Sequence, residues 1–410
     1  MPHDEPESET STTATKPVAA TADVTPSATP SHEESGERIY FPELDGLRFF
    51  AFLMVFLFHG GFPESMVRTV LGRTAARALR ENGGYGVQLF FILSGYLITT
   101  LLLREETRYG RVALRAFWVR RILRIWPLYY LIVFIGFFVL PGLDGQLGSS
   151  FHHQLLRIHL LPFLAFGGNW SMAMIQPAPD WLSILWSVCV EEQFYLVVPL
   201  FVAMVSRRFR VPIVLTLMAG SIAARAWCAH HYSTQLMIVF NTFAQFDTLL
   251  SGVLLAMVLG WDRDRPRLTL VLRILQWPLY LTAGWLMTWP HLGHGSILHQ
   301  TWDFVWVWLC GVGIVMVAVW GRGWLRSALA YSRFVWLGKI SYGLYMYHEI
   351  ALWARDRLMT RLPWFPNKTE LLSIGALALT IALAAGSYYG YERRFLQWKR
   401  AWTRVPSRPV

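Results

Sequence analysis

Charge is scarce in this sequence. Only 15% of its 410 residues are Asp, Glu, Lys or Arg, against roughly 25% in an average soluble domain. Hydrophobic residues make up 54%, and the mean hydropathy is +0.36. A soluble fold of this length lacks the interior to hide so much apolar surface. That excludes a cytosolic enzyme, a nucleic-acid reader and a secreted scaffold, and leaves an integral membrane protein with lipid as its partner. Cysteine is scarce too, with three residues. Cys189, Cys228 and Cys310 lie inside apolar runs in no metal-like spacing, so they read as small buried hydrophobes, and no metal site is expected. Lysine is rare beside arginine. The first residues have neither the basic start nor the apolar core of a signal peptide. No internal repeat is visible.

What is present is a series of long apolar stretches. They lie at about 44–62, 84–104, 124–141, 184–205, 211–229, 236–260, 270–289, 302–320, 334–355 and 370–391, each near the roughly 20 residues that cross a bilayer as a helix. The expected fold is therefore an all-α integral membrane bundle of about ten transmembrane helices. Residues 1–40 are rich in Thr, Ser, Glu, Pro and Ala and read as a disordered cytoplasmic tail. Residues 41–396 form the membrane domain, and 397–410 a basic cytoplasmic tail. The stretch 155–166, interrupted by Pro162 and the Gly167–Gly168 pair, reads as an interfacial or re-entrant piece. The net charge of +11 belongs to loop residues facing the cytoplasm and anionic lipid. Arginine is concentrated in alternate loops, which places both termini inside. The expected location is the inner membrane of a bacterial cell.

Ionisable side chains inside spans are costly, and so they carry the functional reading. Arg48 and His59 are 11 residues apart on the first span, about three helical turns or about 16 Å, on nearly one face. His59 has the chemistry of a general base near neutral pH. The pair also fits a structural role, with Arg48 reaching headgroups and His59 bonding a neighbouring helix. Arg120, Arg121 and Arg124 share part of a helix surface at a membrane edge, next to Tyr129. Three guanidinium groups there fit a phosphorylated ligand or a plain topology signal. Glu191 and Glu192 stand side by side in an apolar run and point about 100° apart, so at most one lines a cavity with His59. Ser94, Tyr195, Asp247, Tyr342 and His348 complete the candidate cavity-lining set with Glu191.

These segments together resemble the acyltransferase-3 family of multi-span membrane acyltransferases. The resemblance rests on five motifs in order: Leu-Asp-Gly-Leu-Arg followed by ten residues and His at 44–59, Phe-Phe-Ile-Leu-Ser-Gly-Tyr-Leu-Ile-Thr at 90–99, Arg-Arg-Ile-Leu-Arg-Ile-Trp-Pro-Leu-Tyr-Tyr at 120–130, Trp-Ser-Val-Cys-Val-Glu-Glu-Gln-Phe-Tyr at 186–195, and Gly-Lys-Ile-Ser-Tyr-Gly-Leu-Tyr at 338–345. The family moves acyl groups, usually acetyl from acetyl-CoA, to sugar hydroxyls. Its acceptors include lipopolysaccharide, exopolysaccharide, peptidoglycan and glycosylated antibiotics such as macrolides. The resemblance implies acyl-CoA as co-substrate, a sugar-containing acceptor, no tightly bound cofactor and no nucleic acid. It implies that Arg120, Arg121, Arg124 and Tyr129 bind the donor, with Arg48. His59 then deprotonates the hydroxyl or carries the acyl group, and Glu192 orients it. Three departures stand out. Gln88 replaces a frequent Asp, Arg394 replaces a Pro, and no further hydrolase-like domain is expected after the last span. The rival class is a transporter or flippase, which also uses buried Arg, His and Glu.

Overall fold

The computed structural model of the protein describes residues 40–60, 69–144, 153–232, 236–260, 262, 265–288, 297–362 and 368–403. The expected amino-terminal tail lies outside these residues, apart from Tyr40, as do residues 404–410. No strand occurs among the described residues. The principal helices are α1 (Pro42–Gly60), α2 (Val70–Asn82), α3 (Gly86–Tyr109), α4 (Leu114–Phe134), α5 (Leu185–Met204), α6 (Arg207–His231), α7 (Thr242–Leu259), α8 (Pro266–Thr288), α9 (Ile297–Trp320), α10 (Ser332–Lys339), α11 (Ser341–Arg361) and α12 (Lys368–Ser387).

Among the described residues, seven helices are long and apolar enough to cross a membrane. They fall in Gly72–Tyr109, Leu114–Leu143, Asp180–Met204, Arg207–His231, Leu236–Leu259, Thr301–Trp320 and Glu370–Trp402. The protein is thus a multi-pass membrane protein. The other three expected spans are also helical, as α1, α8 and the α10–α11 pair. Their polar content keeps them from passing the same test, and α1 alone carries Glu43, Asp45 and Arg48. Large side chains such as Leu215, Leu217, Ile274, Leu281, Leu371 and Ile374 face outward, which suits lipid rather than water.

Local sequence explains where the helices start and stop. The Thr69 hydroxyl accepts a hydrogen bond from the Gly72 amide and caps α2, and the Asn241 side chain does the same for the amide of Phe243 in α7. Gly110, at φ 68°, closes α3 in the left-handed region open to glycine. The stretch 155–166 is broken helix, a π segment at Leu156–Leu160 followed by Leu161–Leu164. The expected basic tail starts as ordered structure, because Lys399–Trp402 forms a 3₁₀ turn and the Trp402 carbonyl accepts from Arg120 Nη1 at 2.7 Å.

The centre of the bundle depends on close helix approach. A Cβ on Gly95 of α3 would strike the Leu249 carbonyl of α7, and one on Gly252 of α7 would strike the Ile92 carbonyl of α3. Small residues let the two backbones touch, which is how helices associate where no hydrophobic force separates them from lipid. Gly46 of α1 and Gly338 of α10 play the same part against the Leu329 and Asp45 carbonyls. Beside the α3–α7 contact, Arg225 of α6 meets Asp247 of α7 with both side chains fully buried. Arg225 also donates to the Ala244 carbonyl and lies 4.6 Å from the centre of the Phe304 ring. The Asp247 amide donates to Ser221 Oγ at 3.0 Å. Asp247, expected in the cavity, is instead half of an ion pair that fastens α6 to α7. A carboxylate at that depth needs a cation, and Arg225 meets it first.

Two outcomes follow for thermal unfolding of the purified protein in detergent. Asp247→Ala strands a buried guanidinium and should cost about 3–5 kcal/mol. Gly252→Leu should cost at least about 1–3 kcal/mol through overpacking, whereas Gly220→Ala on α6, where nothing lies within 4 Å, should leave the unfolding temperature unchanged. A Gly252→Leu protein as stable as the parent would refute the close α3–α7 contact.

Candidate functional site

The site is built along α1, which passes through the bundle with a polar residue at each end. Near its start, a cavity of about 170 Å³ opens between α1, α3, α4, α5 and α11. Its basic side chains are Arg48, Arg121, Arg124 and Lys399, and its acidic ones Asp45 and Glu191. Apolar walls come from Phe90, Phe91, Leu97, Ile98 and Val188. Arg121 is steered by aromatics, with its guanidinium carbon 5.6 Å from the Phe117 ring centre and 5.8 Å from that of Tyr195. Its buried Nε has no hydrogen-bond partner among the described residues. Deeper in, the Ser94 and Tyr195 hydroxyls share a hydrogen bond. Ser187 Oγ and Tyr345 Oη are 2.8 Å apart, and Tyr345 donates to the Ile184 carbonyl.

At the other end of α1, His59 stands with 33% of its side chain exposed. Its Nδ1 lies 3.0 Å from Glu349 Oε1 and 3.1 Å from His348 Nε2. The two imidazoles stack with centroids 5.3 Å apart. His348 Nδ1 is 2.6 Å from the Tyr345 carbonyl, which can only accept, so the His348 proton sits on Nδ1 and its Nε2 is an acceptor. The His59 Nδ1–H is then the donor that Glu349 and His348 share. That leaves the lone pair of His59 on Nε2, the arrangement of a carboxylate-oriented base.

One side chain reaches both ends. Tyr345 lines the cavity on one side and packs against His348 on the other, with ring centroids 5.5 Å apart. Arg48 and His59 therefore do not share a single open cavity, although they share a helix. His59 sits at a bundle end rather than deep inside.

Several expected residues fall elsewhere. Of the three arginines, Arg121 and Arg124 line the cavity, but Arg120 is turned into an ion pair with Glu105 at 3.3 Å and holds Trp402. Tyr129 is buried beside the cavity wall, donating to the Phe163 carbonyl at 2.7 Å, and does not line the cavity. The two carboxyls at 191 and 192 diverge as their spacing requires, but in the opposite sense to the one expected. Glu191 faces the cavity. Glu192 turns toward α4 and accepts from Trp126 Nε1 at 2.9 Å. The carboxylate that meets His59 is Glu349, not Glu192. His348 lies outside the cavity lining and against His59. Ser94, Tyr195 and Tyr342 do line the cavity. Gln88 donates to Gln245 Oε1 at 3.1 Å, so two neutral amides pair where a carboxylate would need a cation.

Sequence reading missed Glu349, Lys399 and Gln245. Glu349 had a signal, since it is an ionisable residue in the apolar run from Leu344 to Leu352 and directly follows His348. Lys399 had none, because the chain after the last span gives no hint that it folds back.

The acyltransferase-domain family model, acyltransferase-3, matches residues 41–389. The chain is 27% identical over 336 residues to the peptidoglycan O-acetyltransferase OatA of Listeria monocytogenes, covering 76% of this chain and 49% of that protein. It is 28% identical to the putative peptidoglycan O-acetyltransferase YrhL of Bacillus subtilis, covering 75% of this chain and 48% of that one. It is also 28% identical to the O-acetyltransferase OatA of Staphylococcus aureus, covering 75% and 50%. The chain spans about half the length of these relatives. No solved structure matches it. With the family model covering nearly all of its membrane part, and the cavity arginines Arg48, Arg121 and Arg124 and His59 lying within the matched residues, the chain belongs to the acyltransferase-3 family.

Proposed function

We propose that the protein is a membrane O-acyltransferase that transfers an acyl group, acetyl first among them, from acyl-CoA to a hydroxyl of a sugar-containing acceptor. The relatives, peptidoglycan O-acetyltransferases by name, favour peptidoglycan among such acceptors. The observation that carries the reading is the arginine-mouthed cavity whose inner wall, Tyr345, touches the His59–His348–Glu349 cluster.

The cavity is smaller than the roughly 300 Å³ at which small-molecule pockets begin. It suits a thin extended arm, not a folded nucleotide. On this reading the phosphates of CoA stay at the mouth against Arg121, Arg124 and Lys399, with Arg48 just inside. The acyl-pantetheine arm extends between Phe90 and Val188 toward Tyr345. A rotation of Tyr345 would join the thioester to the His59 side.

His59 supplies the base. Its Nε2 takes the proton of the sugar hydroxyl as the oxygen attacks the thioester carbonyl. The carbon–oxygen bond forms, the carbon–sulfur bond breaks, and the CoA thiolate on leaving takes that proton from the His59 imidazolium, which restores the base. Glu349 holds the Nδ1–H and stabilises the imidazolium that forms. An acyl-His59 intermediate uses the same residues. Glu191, with Ser94 and Tyr195, sets the polarity of the donor channel. Both termini would lie on the cytoplasmic side, with the arginine mouth facing the acyl-CoA pool.

The test is acyl transfer by the purified protein in detergent, with acetyl-CoA and a soluble peptidoglycan fragment. No gradient exists there, so a transporter would show nothing. His59→Gln keeps hydrogen-bonding capacity and loses basicity, and should lower transfer by about 10²–10⁴-fold. Substantial transfer by that variant at neutral pH would sink the assignment of His59 as base. Arg121→Ala and Arg124→Ala should each raise KM for acetyl-CoA about 10-fold or more. Arg120→Ala should lower the unfolding temperature more than it changes KM. For the two carboxyls, Glu191→Gln should reduce turnover, and Glu192→Leu, which removes the acceptor for Trp126 Nε1–H, should reduce stability. The reverse pattern would overturn the placement.

A further inference from the structure

We infer that His59 Nδ1, His348 Nε2 and Glu349 Oε1 form a three-ligand site for a divalent transition-metal ion of the zinc class. The three atoms lie 3.1, 3.0 and 3.5 Å apart. Three corners of a tetrahedron around a zinc ion, with ligands at about 2.0–2.1 Å, lie about 3.3–3.4 Å apart. The side chains therefore need only small shifts to hold an ion. Among the described residues, this is the one group of His, Cys, Asp and Glu side chains with ligand atoms so close together.

Three further features fit coordination. The donor set is two imidazoles and a carboxylate, which suits zinc and its neighbours better than calcium or magnesium. His348 already has the outer support that metal-bound imidazoles show. Its Nδ1–H donates to the Tyr345 carbonyl at 2.6 Å, which fixes the ring and directs the Nε2 lone pair at the cluster. His59 is partly exposed, so an ion has a way in and keeps an open position for water. The guanidinium in electrostatic reach of Glu349 is Arg355, and it is already held by the Gly60 carbonyl and by Asp356. The site revises the expectation of no metal, which rested on cysteine spacing. Its ligands come from α1 and α11, far apart in the sequence.

Binding has a consequence that rests on the proposed function. The ion takes the place of the His59 Nδ1 proton, which moves by way of solvent to Nε2 of the same ring. His59 then carries its only proton on Nε2 and has no lone pair for a hydroxyl. A bound ion therefore stops transfer, and the site would act as a metal-sensitive switch.

Calorimetric titration of the tag-free full-length protein with zinc chloride tests the site without any turnover. One saturable zinc per chain is expected. Glu349→Gln and His348→Ala should each weaken it at least about 10–100-fold. Because His348 is fully buried, His59→Gln at the exposed end serves as a second ligand variant, with the same loss expected. Cobalt(II) should give visible absorption bands in the parent protein that vanish in Glu349→Gln. Absence of saturable zinc binding, or binding unchanged in both Glu349→Gln and His59→Gln, overturns the site. Acetyl transfer measured in parallel should fall with a midpoint at the calorimetric Kd. Transfer that continues at saturating zinc would overturn His59 as the base while leaving the metal site intact.

Discussion

A helix that carries charge through an apolar bundle must find a partner for each charge, and α1 is that helix. Glu43 accepts from Arg326 at 2.9 Å, Asp45 from Tyr40 at 3.0 Å, and His59 meets Glu349 at 3.0 Å. Left without partners in lipid, these groups would cost several kcal/mol each. The need for partners fixes the neighbours of α1 and how closely they approach. Gly338 lets α10 approach the Asp45 carbonyl of α1, and Gly46 lets α1 approach the Leu329 carbonyl just before α10. The rest of the bundle packs around this core, with long apolar helices such as α6 and α12 on the outside, where large hydrophobic side chains face lipid.

The same constraint shapes the chemistry. The two polar ends of α1 meet at one aromatic side chain, Tyr345, which lines the arginine cavity and packs against His348. The basic mouth draws on three segments: Arg48 from α1, Arg121 and Arg124 from α4, and Lys399 from the chain after α12. Arg120, next to Arg121, faces the other way and ties down Trp402, which helps place Lys399 at the mouth.

Not every buried charge belongs to the site. The Arg225–Asp247 pair has no exposure and joins α6 to α7. Glu192 has a single-sided bond to Trp126. Rules that treat every ionisable residue in a span as functional pick these up together with Glu191 and His59. What separates them is what each side chain touches.

The sequence by itself determined the membrane character, the positions of most helices, the basic patch before Pro127, and the family. Those are properties of composition, of runs of about 20 residues and of short ordered motifs, all of which are local. It also determined that Glu191 and Glu192 must diverge, because adjacent helical residues point about 100° apart. Only the tertiary structure decided which of the two faces the cavity, because the rotation of α5 about its axis is set by packing against α3 and α4. Likewise, His59 is legible as a base from its own span, but its partners are 289 and 290 residues further along the chain. Nothing local in α1 specifies Glu349 or His348. They reach His59 because α11 packs on α1, and that contact exists only once the bundle has closed.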